Sequence, residues 1–472
     1  MNKKKLILAL TLLAVSLTYA NAAENSEALY IEGRQLFEIN KIEAAKEKFE
    51  KAAEIDRKAG AGRKKDLAVY LGWIGKCYKQ LSQYDRALEY YRKSLAINEE
   101  LGIGIEIAFV SNSIGLVYHT LGQHDLALDY FNKALVLKEK FGERNHVATQ
   151  FNNIGLVYHS KADYDRALEY YNKALKINEE LGIKDQVANQ LNNIGLLYYY
   201  LGKYDMALAN YNKAVKINEE LGLKGDLAYN LNNMGMVYNA WGQYDKAISY
   251  YRQALVIDKK LGRKDQIAAD LNNMGQVFYS WGLFKKALDY FKTALDINEK
   301  LGAKDKVAVH LNNIGQAYYA LEQLDMALEN YQKALAINEK LGIKNEIASN
   351  LNNIGMIFKT RMQNDKAMEY FTRAMSINEQ LGLKVDVSVQ LNNIGLIYFS
   401  KGDYAKALEY YSKSLAINEE FKKKDSIAIS LQNIGAAHWW LKDYRNAAVF
   451  FKRAILLTEE MRLTASGTVH RD

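Results

Sequence analysis

The chain has 472 residues, with 63 basic and 55 acidic side chains, one cysteine and no proline. A formal net charge of +8, with the basic residues spread along the chain, argues against a nucleic-acid-binding protein. A single cysteine excludes a disulfide framework, and 49% hydrophobic residues without proline predict one long helical structure.

The first 22 residues predict a secretory signal peptide. A basic stub, MNKKK, precedes the apolar run LILALTLLAVSLTYA, and Ala20-Asn21-Ala22 fits a small-residue cleavage site. An uncleaved anchor is the alternative, and in both cases the remaining chain is exported. Cleavage would remove three lysines and no acid, lowering the net charge from +8 to +5. We therefore expect a periplasmic or extracellular protein of the bacterial cell envelope, with no membrane span after signal cleavage.

A glycine recurs every forty residues from Gly75 to Gly435, and Gly33 belongs to a looser copy forty-two residues before Gly75. Such a period is typical of stacked supersecondary units, none of which can bury its apolar face alone. The spacing predicts about eleven helix pairs within residues 23–461. Residues 462–472 are expected to form a short disordered tail.

The copy KDQVANQLNNIGLLYYYLGKYDMALANYNKAVKINEELG shows the expected anatomy of one unit. Asp185 is a candidate cap for a first helix that ends before Gly202, and Asp205 is a candidate cap for the second helix. Gly222 followed by Leu223 fits a Schellman stop, in which a left-handed glycine precedes an apolar residue.

Small residues mark the places where the two helices are expected to pack closely. Gly195 lies on the apolar face of the first helix together with Leu191 and Tyr198, at 100° per residue. The position of Ala207 in the second helix is alanine in all eleven copies. Tyr211 is expected in the same buried stripe.

This pattern of apolar-Gly, a tyrosine three residues later, then alanine, tyrosine or phenylalanine and alanine again resembles the tetratricopeptide repeat. The resemblance covers nearly all of the chain after residue 22, and the forty-residue length is similar to the long-helix repeats of kinesin light chains and of Pins-type spindle-orientation adaptors. The proline that often ends the common repeat is absent, and Glu179, Glu219 or Glu339 takes its place. The resemblance implies an all-α, right-handed superhelical solenoid of about eleven helix pairs whose first helices line the concave side.

Two neighbouring positions of the first helix hold asparagine in most copies, away from the apolar face. The Asn192 column comprises Asn112, Asn152, Asn192, Asn232, Asn272, Asn312, Asn352 and Asn392. The Asn193 column comprises Asn153, Asn193, Asn233, Asn273, Asn313, Asn353, Asn393 and Asn433. We call the two columns together the asparagine ladder.

An amide side chain can donate and accept hydrogen bonds at once, as an extended peptide backbone does. The asparagine ladder therefore predicts a groove that holds the main chain of a bound peptide, and the resemblance implies the same use of the Asn193 column. Two alternatives stay open: asparagine belongs to the general repeat consensus, and recent duplication could copy it without selection for binding.

The rest of the expected groove favours an extended or amphipathic ligand segment with apolar side chains. Apolar and aromatic groove residues include Leu156, Leu196, Met236, Tyr279 and Tyr319. Lys76 and Lys359 have no neighbouring basic partner in the groove, so a clamp for C-terminal carboxylates is disfavoured.

No sequence pattern supports catalysis, a metal site or a cofactor. Among the seven histidines, His119 and His159 occupy the same repeat position, which is Tyr199 in the next copy. No cysteine or acidic residue completes a metal-ligand set around them. Phosphate-binding loops and nucleophile elbows are also missing from the sequence. We therefore predict a protein that is not an enzyme.

The C-terminal repeat differs from the others in its apolar surface. Trp439 and Trp440 lie near the lip of the expected groove, while Val449 and Leu456 replace the usual polar residues of its second helix. A terminal repeat normally needs a polar cap. This end is therefore a candidate docking surface for a partner or a second copy of the chain.

These observations predict an exported, non-enzymatic scaffold that binds extended protein or peptide segments. A second hypothesis is a sensor or regulatory ligand-binding module that acts with a membrane kinase or a secretion system. A third is a glycan-binding export factor, since stacked tyrosine and asparagine side chains also suit sugars.

Overall fold

The computed structural model describes residues 25–467, in which all regular elements are helical. The predicted signal peptide, residues 1–22, lies outside the described residues. Contacts between Cα atoms divide the chain into two units, Met1–Asn233 and Met234–Asp472, with the division inside one helix.

The first unit contains the helices up to the start of α11. Its elements are α1 (25–38), α2 (Ile42–Ala59), a 3-10 turn (Ala61–Arg63), α3 (Lys64–Gln80), α4 (Tyr84–Glu100), α5 (Gly104–Thr120), α6 (His124–Lys140), α7 (Arg144–Ser160), α8 (Tyr164–Glu180), α9 (Lys184–Tyr200), α10 (Tyr204–Glu220) and α11 (Lys224–Ala240).

The second unit contains the rest of α11 and the following helices. They are α12 (Tyr244–Leu261), α13 (Lys264–Ser280), α14 (Phe284–Leu301), α15 (Lys304–Ala320), α16 (Leu324–Leu341), α17 (Lys344–Thr360), α18 (Asn364–Gln380), α19 (Lys384–Ser400), α20 (Tyr404–Glu420), α21 (Lys424–Trp440) and α22 (Tyr444–Gly467).

Within each unit the odd-numbered helices are the first helices of the repeats and the even-numbered ones the second helices. Among α2 to α10 and among α12 to α22, each first helix packs against the second helix of its own repeat, and that helix packs against the first helix of the next repeat. The prediction of an all-α solenoid of stacked helix pairs is confirmed. Helix α22 continues to Gly467, six residues past the boundary at 461 that the repeat spacing suggested.

The helix starts differ from the sequence-based expectation. Helix α9 begins at Lys184 and α10 at Tyr204, and neither has a side-chain cap. The predictions that Asp185 and Asp205 cap these helices are therefore wrong. Both carboxylates lie in the first turn instead, where a negative charge favours the positive end of the helix dipole.

The predicted helix stop at Gly222 is confirmed. Gly222 adopts a left-handed φ of +66°. Its N–H donates to the Glu219 carbonyl at 3.1 Å, and the Leu223 N–H donates to the Asn218 carbonyl at 2.9 Å. These are the two hydrogen bonds of a Schellman motif, which satisfy carbonyls that the helix end would otherwise leave free.

The regular forty-residue spacing of glycine has a steric cause in the helix pairs. A β-carbon placed on Gly195 would lie 2.7 Å from a ring carbon of Tyr211, which is fully buried on the paired helix. Ala207 is also fully buried at this contact. The prediction that these positions allow close helix packing is confirmed.

Substitution of Gly75 by alanine is expected to lower the free energy of unfolding of the α3–α4 pair by about 1–3 kcal/mol. The added β-carbon would lie 2.8 Å from ring carbons of Tyr91. Gly72, in the same helix, is the matched control, since a β-carbon there meets only the Ser94 hydroxyl at 3.6 Å. We expect Gly72→Ala to be neutral or stabilising by up to about 1 kcal/mol.

Hydrogen exchange of the α3 and α4 backbone amides measures both effects locally. Equal protection in the two variants would contradict the steric explanation.

Candidate functional site

The first helices expose one side-chain position in every copy from α5 to α21, two residues before the position of Leu191. We call this set the exposed column, and it comprises Phe109, Thr149, Asn189, Tyr229, Ala269, Val309, Ser349, Val389 and Ile429. Because it precedes the asparagine columns by three and four residues, it lies on the same helix face as the ladder. We call this surface, taken in each unit by itself, the asparagine face.

The two columns of the ladder are hydrogen-bonded to each other between successive repeats. In each case an Asn193-column Nδ2 donates to the Oδ1 of the Asn192-column residue one repeat earlier. In the first unit Asn153 donates to Asn112 at 2.8 Å, Asn193 to Asn152 at 2.9 Å and Asn233 to Asn192 at 2.7 Å. In the second unit Asn313 donates to Asn272 at 2.8 Å, Asn353 to Asn312 at 2.9 Å, Asn393 to Asn352 at 3.0 Å and Asn433 to Asn392 at 2.8 Å.

These bonds give the ladder a structural role that the sequence did not reveal. No ladder side chain is exposed, and Asn153, Asn192 and Asn393 are buried. Each bond uses only one of the two N–H groups of its donor. In Asn193 the second N–H and the Oδ1 bond to no other described residue, so they can serve a ligand. Binding by the ladder stays a prediction.

A second polar layer, also absent from the sequence-based prediction, lies behind the ladder. Asn338, on a second helix, donates to the Oδ1 of Asn350 at 2.8 Å, and Asn350 donates to the Oδ1 of Asn312 at 3.1 Å. Asn350 is fully buried. Asn218, Asn230 and Asn192 repeat this arrangement at 2.7 and 3.0 Å. The layer links the second helix of one repeat to the first helix of the next repeat, and links that helix back to the first helix of the original repeat.

The sequence did contain a signal for this layer. The asparagine of the INE motif recurs in an otherwise apolar stripe, at Asn98, Asn178, Asn218, Asn298, Asn338, Asn378 and Asn418. All seven are buried. A recurring polar residue in a buried stripe indicates a paired hydrogen-bonding group, because an unpaired one would be costly.

Besides the looser first copy, where buried Asp56 pairs with Arg63 at 3.4 Å, two repeats replace this buried asparagine by a charge and supply a counter-charge. Lys138 is 1% exposed, donates to Glu143 at 2.8 Å and lies 3.2 Å from the centroid of the Phe109 ring. Asp258 forms an ion pair with Arg263. Both charges are therefore compensated inside the repeat stack, as buried charges must be.

His310 fills the same layer as a neutral imidazole. Its Nε2 lies 2.7 Å from the Asn298 Nδ2 and its Nδ1 lies 3.1 Å from the Asn272 Oδ1. This network assigns Nε2 as acceptor and Nδ1 as donor. Burial, and to a lesser extent the charge of Lys306, lowers the pKa of His310 to about 4. Protonation would put a second proton where Asn298 donates.

The histidines near the first-unit surface do not form a metal site. The rings of His119 and His124 lie 5.8 Å apart. Burial lowers the pKa of His119 to about 4, and the neighbouring His124 and His159 add to the shift. Among residues 25–467 no group of three His, Cys, Asp or Glu side chains could hold a metal ion. Tyr199 occupies the equivalent position in the next copy, which favours aromatic replacement as the explanation of His119 and His159.

The two groove lysines lie in separate surroundings. The Lys76 ammonium sits 4.3 Å from the centroid of the Trp73 ring, a cation–π contact. Burial lowers the pKa of Lys359 below its ordinary value. The structure thus gives each lysine a different environment.

The C-terminal candidate residues all lie on the surface. Trp439, Trp440, Val449 and Leu456 are between 51% and 57% exposed. Trp439 packs edge-on against Tyr444 at 5.0 Å, and Trp440 stacks on Tyr404 at 5.6 Å. The apolar end of the chain is therefore accessible, and docking of a partner or second copy there stays a prediction.

Within residues 25–467 no helix combines the length and the hydropathy that crossing a bilayer requires.

No curated protein sequence matches the chain. BtubC (BKLC) from P. vanneervenii is similar in fold, with 22% identity, a TM-score of 0.40 and coverage of 47% of this chain and 91% of that chain.

Two further solved structures are similar at lower identity. A Rap protein complexed with Competence and Sporulation Factor is 16% identical, with a TM-score of 0.49 and coverage of 84% of this chain and 99% of that chain. A putative kinesin light chain from Podospora anserina with nearly identical repeats is 13% identical, with a TM-score of 0.36 and coverage of 42% and 97%.

The family comparison agrees with the repeat anatomy described above. The family model of the tetratricopeptide repeat matches residues 26–100, 106–180, 147–220, 186–260, 226–300, 306–380 and 387–460. These matches cover most of the chain, in register with the helix pairs. The chain belongs to the tetratricopeptide repeat family, whose members serve as scaffolds for protein or peptide partners.

Proposed function

We propose that this protein is an exported, non-enzymatic scaffold that binds extended peptide segments on the asparagine face. One observation carries the proposal: in each unit a row of asparagines runs beside an exposed column whose residues vary, and Asn193 in this row keeps an N–H and its Oδ1 for a ligand. Constant amides suit the peptide backbone, which is the same in every ligand. Variable neighbours such as Phe109, Asn189 and Tyr229 suit the side chains, which differ.

The hydrogen bonds inside the ladder support this function by holding the amides in place. A fixed donor loses less conformational entropy on binding than a free surface side chain does. Asn193 is held by its bond to Asn152 and keeps its Oδ1 and one N–H for a ligand. The ladder is thus both a tie between repeats and a pre-organised binding surface.

Export is the second part of the proposal, and it depends on the predicted signal peptide. Expression of the full-length protein followed by cell fractionation and N-terminal mass spectrometry tests it. We expect a mature protein in the envelope or medium that begins after about residue 22. A full-length protein recovered from the cytoplasm would contradict export without affecting the binding site.

Replacing Asn153, Asn193 and Asn233 by alanine is expected to weaken ligand binding to the first unit at least about tenfold, at about 1 kcal/mol per lost hydrogen bond. Replacing Asn313, Asn353 and Asn393 tests the second unit in the same way. Ligands would be recovered from an envelope extract, identified by mass spectrometry and measured by calorimetry as synthetic peptides.

Two control variants separate binding from folding. Asn210 and Asn330 are half-buried asparagines of second helices, each donating to its own helix at 2.8 Å, and their replacement by alanine should leave binding unchanged. Tyr229→Ser introduces the residue that the exposed column carries at Ser349 and should change which ligands bind. Unaltered binding in both ladder variants, with circular dichroism showing folded protein, would exclude the asparagine face as the site.

A further inference from the structure

The asparagine ladder is interrupted at its N-terminal end. Gly72 stands in the Asn192 column and Trp73 in the Asn193 column of α3, while Ser113 replaces asparagine in α5. The Ser113 hydroxyl donates to the Phe109 carbonyl of its own helix at 3.1 Å, so no ladder bond joins α3 to α5. This gap opens on the asparagine face.

The missing side chain at Gly72 leaves a cavity of about 150 Å³ between α3 and α5. Trp73 and Phe109 form aromatic walls and Val69 and Val110 form aliphatic ones. The polar side is lined by Ser94, Asn98, Lys76 and Glu106. An apolar cavity of about this volume accommodates one benzene ring. The dimensions therefore suit a single aromatic side chain.

The polar side of this cavity holds an incompletely bonded amide. Asn98 is 2% exposed, and its one side-chain hydrogen bond runs to the Ser94 Oγ at 3.5 Å. The equivalent asparagines donate at 2.7 Å from Asn218 and 2.8 Å from Asn338 to an amide twelve residues on. Here the residue twelve positions on is Val110, which offers no acceptor. A buried amide of this kind needs a partner.

The Ser94 hydroxyl leaves an acceptor free for the same ligand. It donates its proton to the Ala68 carbonyl at 2.7 Å, so its remaining lone pairs can accept. A ligand group that accepts a hydrogen bond from Asn98 and donates one to Ser94 would satisfy the hydrogen-bonding groups of both side chains. A phenol hydroxyl does this at the end of an aromatic ring.

We propose that this cavity binds the side chain of a tyrosine in a peptide that lies on the asparagine face of the first unit. The inference rests on the proposed function and extends it by naming the residue that the N-terminal end selects. The phenol ring lies between Trp73 and Phe109, and its hydroxyl bonds to Asn98 and Ser94. Phenylalanine fits the walls but leaves the amide unsatisfied.

The cavity is tested with p-cresol, the analogue of the tyrosine side chain, and toluene, the analogue of phenylalanine. The protein contains five tryptophans, so 5-fluorotryptophan labelling gives five fluorine resonances, and Trp73→Phe assigns one of them. We expect p-cresol to shift the Trp73 resonance saturably, with an affinity about tenfold above that of toluene, the worth of one to two hydrogen bonds. No shift, or equal affinity for the two compounds, would overturn the proposal.

Three variants make the test specific. Gly72→Asn introduces the residue of the following eight repeats, so the protein should fold, and it should abolish p-cresol binding by filling the cavity. Gly72→Ala leaves most of the space and should retain binding within about threefold. Asn98→Leu should reverse the preference, with toluene favoured. Retained p-cresol binding in folded Gly72→Asn would also overturn the proposal.

Peptide titrations separate this inference from the proposed function. Peptides with tyrosine, phenylalanine or alanine at the tested position are compared. If all three bind equally well and the ladder variants no longer bind them, the face is a binding site and the cavity proposal fails. If p-cresol binds at Trp73 while no peptide binds, the cavity is real and the peptide-scaffold proposal fails. A tyrosine preference that disappears in Gly72→Asn supports both.

Discussion

Replacing Asn350 by alanine is expected to lower the local free energy of unfolding around α17 by about 3 kcal/mol. The substitution leaves the Nδ2 of Asn338 without its acceptor and removes one of the two donors to the Oδ1 of Asn312. Asn350 is fully buried, so water cannot replace its amide. The expected loss exceeds that of an ordinary hydrogen bond because buried polar groups stay unsatisfied.

Asn353→Ala is the matched control for this prediction. Asn353 donates to the same Asn312 oxygen at 2.9 Å, but it is half-buried and water can reach it. We expect a loss of about 1 kcal/mol.

Native-state hydrogen exchange of the amides in α15, α16 and α17 measures both variants. Local exchange is preferable to a global melting temperature, since repeat arrays do not unfold in one step. An equal loss in the two variants would contradict the distinction between the buried layer and the asparagine face.

Acidification is expected to destabilise the repeat around His310 between pH 6.5 and pH 4. Burial lowers the pKa of His310 to about 4, below the ordinary value of 6.5. The unfolded chain therefore binds this proton more readily than the folded one, and folding stability falls as the pH drops through this window. At pH 4 the contribution reaches about 3 kcal/mol for a shift of this size.

His310→Asn isolates the effect from all other titrating groups. Asparagine occupies the equivalent positions Asn230 and Asn350, so the variant should keep the hydrogen bonds and lose the titration. The difference in local stability between wild type and variant, measured at pH 7 and pH 4 in α14 and α15, should change by about 3 kcal/mol. A constant difference would show that His310 does not carry this pH dependence.

The repeat period and the helix pairing could be predicted from the sequence because both depend on local chemistry. Left-handed glycines such as Gly222 stop helices, and Gly195 allows Tyr211 to approach. Each signal is repeated in many copies, which makes it easy to recognise. The helix starts were predicted less accurately, because an aspartate near the start of a helix can either cap it or lie in its first turn. Asp185 lies in the first turn.

The role of the asparagines could be predicted only in part. Their position on one helix face follows from the periodicity, and so does the idea of a row of amides. Sequence alone does not show that Asn193 bonds to Asn152 in the previous repeat, because a distance of 41 residues becomes a contact only when the helices stack. The cavity beside Gly72 has the same origin, since it depends on what α5 places opposite the missing side chain.

The sequence by itself determined the period, the helical class, the family and the face on which binding is expected. Those properties follow from the residue spacing within one repeat, and this spacing recurs in many copies along the chain. The tertiary structure decided which amides are buried, which are paired and which keep a free donor or acceptor. Burial and pairing depend on neighbours from other repeats, and only stacking brings those neighbours within hydrogen-bonding distance.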